Sequence, residues 1–181
     1  MSSPFTIEFS EWIGRLGYRI QVSGDAWMLT NFSEMTYYVR AEEGRYVLHE
    51  QSRNDPPEFV MSASSVVDIE RHLTTYFGFS VRSMLRLPYI FVGGRPGFST
   101  VANAAPEFRL ELLERSRVGL VDANGHVRCV FYGDLADRSC NAVEFSWFAD
   151  ASLEDLRRSY LDPDGLPLFP GCSIGPVKPS A

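Results

Sequence analysis

The chain has 181 residues, 45% hydrophobic and 13% aromatic, so it can bury a core without disulfide or metal, and intrinsic disorder is excluded. Its formal net charge of −6 excludes the clustered basic surface of a nucleic-acid binder. Three cysteines without Cys-x-x-Cys spacing, a start at residues 1–5 lacking the pattern of an export signal, and no apolar run near the ~20 residues that span a bilayer predict a cytoplasmic protein with no membrane role.

Phe5, Phe9, Trp12, Ile13 and Leu16 recur at helical spacing and Gly17 stands at the C-cap position, which predicts a first helix with an aromatic face. Strands are predicted over 18–22, 26–32, 35–40, 45–50 and 58–62, separated by turn formers such as Ser23-Gly24-Asp25 and Glu42-Glu43-Gly44, which gives an antiparallel meander. Val66, Ile69, Leu73, Tyr76 and Phe77 supply the buried face of the next helix, which Gly78 is expected to end or bend. Residues 87–105 are the least regular stretch and mark a boundary. Strands over 108–112, 118–121 and 127–131 follow, the last two joined by the hairpin signal Asp122-Ala123-Asn124-Gly125. A last strand is predicted over 142–148. The terminal helix, 152–161, has Ser152 to cap it, Glu154 and Asp155 at its positive end and Arg157 and Arg158 at the other. Asp162-Pro163-Asp164-Gly165 stops it, and 171–181 is a loose tail.

Glu58-Phe59 leading into Ser65-Val66-Val67-Asp68 parallels Glu144-Phe145 leading into Ser152-Leu153-Glu154-Asp155. The expectation is an α+β fold in one domain, 1–181: antiparallel meander sheets with flanking helices, in two related halves at about 5–86 and 107–169.

Chemistry-bearing motifs are missing. His49, His72 and His126 have no metal-ligand spacing, and Asp162-Pro163-Asp164-Gly165 lacks the later oxygen ligands of a calcium loop. Gly93-Gly94-Arg95-Pro96-Gly97 lacks the Lys-Ser/Thr of a phosphate loop, and no Gly-x-Ser-x-Gly elbow occurs. No catalytic, cofactor-binding or metal-binding residue is assigned, and no cofactor is expected.

Several stretches together resemble bacterial immunity proteins that neutralise toxins of the tuberculosis necrotizing toxin type. They are Ile7-Glu8-Phe9-Ser10-Glu11-Trp12-Ile13-Gly14-Arg15-Leu16-Gly17-Tyr18, Tyr37-Tyr38-Val39-Arg40 and Ile69-Glu70-Arg71-His72-Leu73, then Phe77-Gly78, Arg82-Ser83 and Leu87-Pro88. The closing Asp162-Pro163-Asp164-Gly165-Leu166-Pro167-Leu168-Phe169 completes the set. The resemblance implies a cytoplasmic, non-enzymatic antitoxin that binds a cognate NAD glycohydrolase toxin domain one to one and blocks its NAD pocket. It carries no residue-by-residue assignment of contacts.

From the residues themselves, an inhibitor that occludes a pocket needs a slim element on a rigid scaffold. Segment 89–99 fits: Gly93, Gly94 and Gly97 allow close backbone approach, Pro96 limits the entropy lost on ordering, Arg95 faces a site for a charged dinucleotide, and Tyr89 and Phe91 pack at the rim. Tyr37, Tyr38, Glu42 and Glu43 are secondary candidates; adjacent strand residues point to opposite faces, so one tyrosine of the pair is open to a partner. Three alternatives stay open: 89–99 only links the halves and the interface is a sheet face or helix end; the protein is an enzyme or small-molecule binder with its pocket between the halves; or it is a scaffold for a partner other than a toxin.

Overall fold

The structure, a computed structural model, describes residues 3–31, 34–90, 104–114, 116–132, 140–170 and 173–174. Helix α1 (Ile7–Gly14) begins where Thr6 Oγ1 accepts the Phe9 amide at 3.1 Å. It gives way at Gly17, whose φ of +79° is left-handed. The aromatic face, Phe9, Trp12 and Ile13, is buried.

Strands β1 (Arg19–Ser23), β2 (Ala26–Thr30), β3 (Met35–Glu42), β4 (Arg45–Ser52) and β5 (Glu58–Ala63) form the expected meander. Glu43 and Gly44 connect β3 to β4 with φ of 49° and 77°, the two positive values of a primed turn whose twist suits a hairpin. Helix α2 (Val66–Met84) follows, then β6 (Tyr89–Ile90). A second meander comprises β7 (Arg109–Leu113), β8 (Arg117–Val121) and β9 (Val127–Tyr132). Helices α3 (Cys140–Ser146) and α4 (Leu153–Leu161) come next, and β10 (Ser173–Ile174) returns to pair with β6.

The two meanders are one sheet. Met61, Ser62 and Ala63 of β5 pair with Phe131, Val130 and Cys129 of β9, giving eight antiparallel strands in the order β1-β2-β3-β4-β5-β9-β8-β7. The class is α+β, as predicted. Leu29, Val39, Leu48, Met61, Leu120 and Phe131 line the face that meets the helices, and each is at most 1% exposed. Rings pack at an angle through this layer, with the centroids of Tyr18 and Phe77 4.7 Å apart and those of Phe145 and Phe148 5.1 Å apart.

Two expectations fail. Residues 142–148 are not a strand: α3 covers Cys140–Ser146. Ala142, Val143, Phe145, Ser146, Phe148 and Ala149 are buried, while Asn141 and Trp147 are exposed and Glu144 is half-buried, three residues apart, which is helical periodicity. The strand-into-helix unit that opens Glu-Phe is therefore present once, at Glu58-Phe59. Gly78 does not end α2, which runs on to Met84; the glycine lies under a ring of α4 rather than at a terminus.

Candidate functional site

Arg82, in the last turn of α2, is 2% exposed. Its Nε donates to Pro88 O at 2.8 Å. Nη1 donates to the carbonyls of Ser159 and Tyr160 at 3.2 Å and of Asp162 at 2.6 Å, and Nη2 to Pro163 O at 2.9 Å. Four of these carbonyls lie at the C-terminal end of α4 and just beyond it, where helix carbonyls have no partner of their own. A planar guanidinium satisfies several of them at once. The Asp162 carboxylate accepts the amides of Asp164 and Leu166 at 2.8 and 3.2 Å, so the turn after α4 is held from both sides. Gly165, at φ +78°, closes it against Phe169 and Ile90, where a Cβ would lie 3.1 and 3.2 Å from its neighbours.

This arrangement positions β6. Ile90 is fully buried, whereas Tyr89 is 44% exposed and stacks on Phe79 at 5.4 Å with an interplanar angle of 16°. Of the other residues proposed on this segment, Phe91, Gly93, Gly94 and Arg95 lie outside the described residues.

The secondary candidates occupy a different surface. Tyr37 is in the core, 5.5 Å from Phe77, and burial pushes its phenol well above the usual range. Tyr38 faces the other side of the sheet, where its hydroxyl donates to Gln51 Oε1 at 2.8 Å. No described helix packs on that side. Glu42 and Glu43 are exposed at the β3–β4 tip and border a recess of about 240 Å³ with Arg45, His49, Phe59 and Arg117. A register shift between Leu48 and His49 pairs Phe59 with His49 and turns the ring into this recess, where the Arg117 guanidinium sits 4.5 Å above it. Arg45 is occupied by Ser62 and by the carbonyls of Val127 and Arg128. The tip lies beside the end of β5 from which α2 starts, and Tyr89 follows the far end of that helix. With 19 residues at about 1.5 Å each, α2 separates the two groups by roughly 28 Å.

His126 is exposed beside Asp122. His49 sits against Phe59, and burial lowers its pKa. His72 is half-buried with its ring 5.9 Å from Phe131, and burial lowers its pKa to about 4. Among the described residues no group of three His, Cys, Asp or Glu is placed to hold a metal ion. Between α2 and α3, where a pocket between halves would lie, there is a cleft of about 60 Å³. That is small beside the ~300 Å³ or more of ordinary ligand sites.

Sequence reasoning missed the buried stripe Glu70, Thr74, Gly78 and Arg82, spaced by four along α2 and each at most 2% exposed where it carries a side chain. Spacing by four was the available signal, but these residue types do not read as a core face. Glu70 accepts from Thr6 N and Oγ1 at 3.1 and 2.6 Å and from Arg157 at 3.4 Å, which ties α1, α2 and α4 together.

Among the described residues no helix is long and apolar enough to cross a membrane. Residues 12–168 match the model of a family described as Immunity protein 61. The chain is 32% identical over 139 residues to a protein named Immunity factor for TNT from Mycobacterium tuberculosis, covering 75% of this chain and 73% of that one. A protein named Immunity factor for TNT homolog, from Mycobacterium bovis BCG, matches with the same identity and coverage. The solved structure titled Rv3902c from M. tuberculosis superposes with a TM-score of 0.78 at 27% identity, over 92% of this chain and 94% of that one.

Proposed function

The chain belongs to the Immunity protein 61 family, and from that premise we propose that it is a non-enzymatic cytoplasmic inhibitor of a toxin of the tuberculosis necrotizing toxin type. It binds one molecule of an NAD-hydrolysing toxin domain and blocks the NAD pocket, protecting the cell that makes both. The observation that carries this reading is the family match over 12–168, which spans nearly everything from α1 to the turn after α4, together with relatives named as immunity factors. The contact is proposed at Tyr89 and the chain that follows it to Ser99. Exposed aromatics on a rigid base are the commonest anchors of interfaces, and Arg82 supplies that base.

The test is to titrate the purified chain into a toxin domain of this type, both the one encoded beside its gene and the tuberculosis toxin, and follow loss of NAD. Inhibition saturating near one inhibitor per toxin is expected. Undiminished NAD loss at tenfold excess over both toxins overturns the reading.

A further inference from the structure

Glu144, half-buried on α3 one turn from Asn141, lines the cleft of about 60 Å³ that α3 makes with α2. Among the described residues no hydrogen-bond donor and no cation reaches it. The titratable groups that face it are His72 and Tyr76 from α2, Tyr160 from α4 and Tyr89 from β6. His72 brings no charge at neutral pH, because burial lowers its pKa to about 4. Burial without a partner raises the Glu144 pKa to about 7. An ionised carboxylate so placed is costly until a positive charge joins it.

The mouth of the cleft is aromatic. Tyr76, 45% exposed, and Phe79, whose ring stacks on Tyr89, line it with Phe148. Aromatic faces attract cations, and more so when solvent is excluded. A single carboxylate does not make a calcium or magnesium site, which needs several oxygen ligands. The volume suits the head of one long side chain rather than a metabolite.

We propose that this cleft is a socket for one lysine or arginine side chain presented by the toxin, with Glu144 as its counter-ion and Tyr76 and Phe79 as its walls. This rests on the toxin-binding reading above. The entering cation stabilises the carboxylate, so binding releases a proton and affinity rises with pH. With a free pKa of about 7 and the carboxyl ionised throughout when the cation is bound, Kd at pH 8 is about tenfold lower than at pH 6 from this group alone.

Two measurements test it. The first uses methylguanidinium alone and follows the Glu144 carboxyl by carbon NMR as pH is varied. Methylguanidinium at 0.1 M, a probe level of order 10⁻¹ M suited to a weak single contact, is expected to lower the midpoint by about half a unit or more; an unchanged midpoint overturns the socket. The second measures toxin affinity at pH 6 and pH 8 for the wild type, Glu144→Gln and, should that variant fail to fold, Tyr76→Ala. Wild type tightening about tenfold between the two pH values, with Glu144→Gln weaker and flat, is the expected result. A wild type that binds toxin and a Glu144→Gln variant that binds within threefold at both pH values removes the socket and leaves the proposed function. A chain whose Glu144 responds to methylguanidinium but which binds no toxin removes the proposed function and leaves a cation socket without that partner.

Discussion

A Cβ placed on Gly78 would lie 2.5 Å from Cδ1 of Tyr160 and within 2.7 Å of two more atoms of the same ring. The two helices α2 and α4 meet there with the Tyr160 ring lying directly on the α2 backbone. Alanine is the better helix former by about 1 kcal/mol, so an exposed Gly→Ala change in mid-helix should stabilise. Here the ring is fully buried and cannot retreat. Gly78→Ala is expected to destabilise by about 2–3 kcal/mol, read as a lower urea midpoint with an unchanged slope. A neutral or stabilising effect would show that the two helices can part freely.

Arg82→Met removes the guanidinium and leaves five carbonyls of Pro88, Ser159, Tyr160, Asp162 and Pro163 without that donor. The expected loss is about 3 kcal/mol or more, measured by denaturant unfolding. Arg82→Lys recovers only part of it, because an ammonium has three donors and cannot reach Pro88 and Pro163 together. Recovery to the wild-type midpoint by lysine would mean that charge matters here and the planar fork does not.

Glu144 also makes stability depend on pH. Its folded pKa, about 7, is above the ordinary carboxylate value, so its favourable contribution is complete below about pH 4.5 and is lost as pH rises through 7. Glu144→Gln removes that loss. The variant is expected to equal the wild type near pH 4.5 and to be more stable by about 1–3 kcal/mol at pH 8, the upper end being reduced by solvent at the cleft mouth. His72 acts in the opposite sense. With its pKa lowered to about 4, its contribution is complete above about pH 6.5 and falls as pH drops through 4. The variant's stability should therefore rise between about pH 4.5 and 6.5, where the wild type is nearly level. A constant gap between the two proteins at every pH would assign the effect to packing.

Replacing Gly94 and Arg95 together by glutamate tests the proposed contact segment. Toxin affinity is expected to fall more than threefold, about 0.7 kcal/mol, with the unfolding midpoint unchanged. Affinity held within threefold identifies the segment as a linker and moves the search to the Glu42–Glu43 tip or to another surface.

Much of the fold was legible because its signals are local. Ser152 accepts the Asp155 amide at 3.0 Å as the cap position requires. Asp122 accepts the amides of Asn124 and His126 at 2.8 and 2.9 Å, with Gly125 at φ +83°, as the hairpin signal implies. Strands such as β3 and β9 alternate buried and half-buried residues, a period that a chain segment expresses without reference to its neighbours. Residues 142–148 misled because apolar residues on both faces suit a strand as well as a buried helix. The candidate surface was less legible: Tyr37 and Tyr38 are adjacent and chemically alike, and which one turns inward is set by the helix layer.

By itself the sequence determined the α+β class, the two meanders, the capped terminal helix, the turn that ends it and, through ordered motifs, the family. Those depend on interactions between residues a few positions apart. Only the tertiary structure decided that β5 pairs with β9 to make one sheet, that Gly78 admits the Tyr160 ring, that Arg82 holds the end of α4, and that Glu144 faces a cleft with no partner among the described residues. Each joins residues about 60 or more positions apart in sequence, or depends on such contacts. A glycine, an arginine or a glutamate carries no local pattern that says whether it will meet water, a ring or a row of unpaired carbonyls; burial by distant elements sets that, and with it the energy of the group.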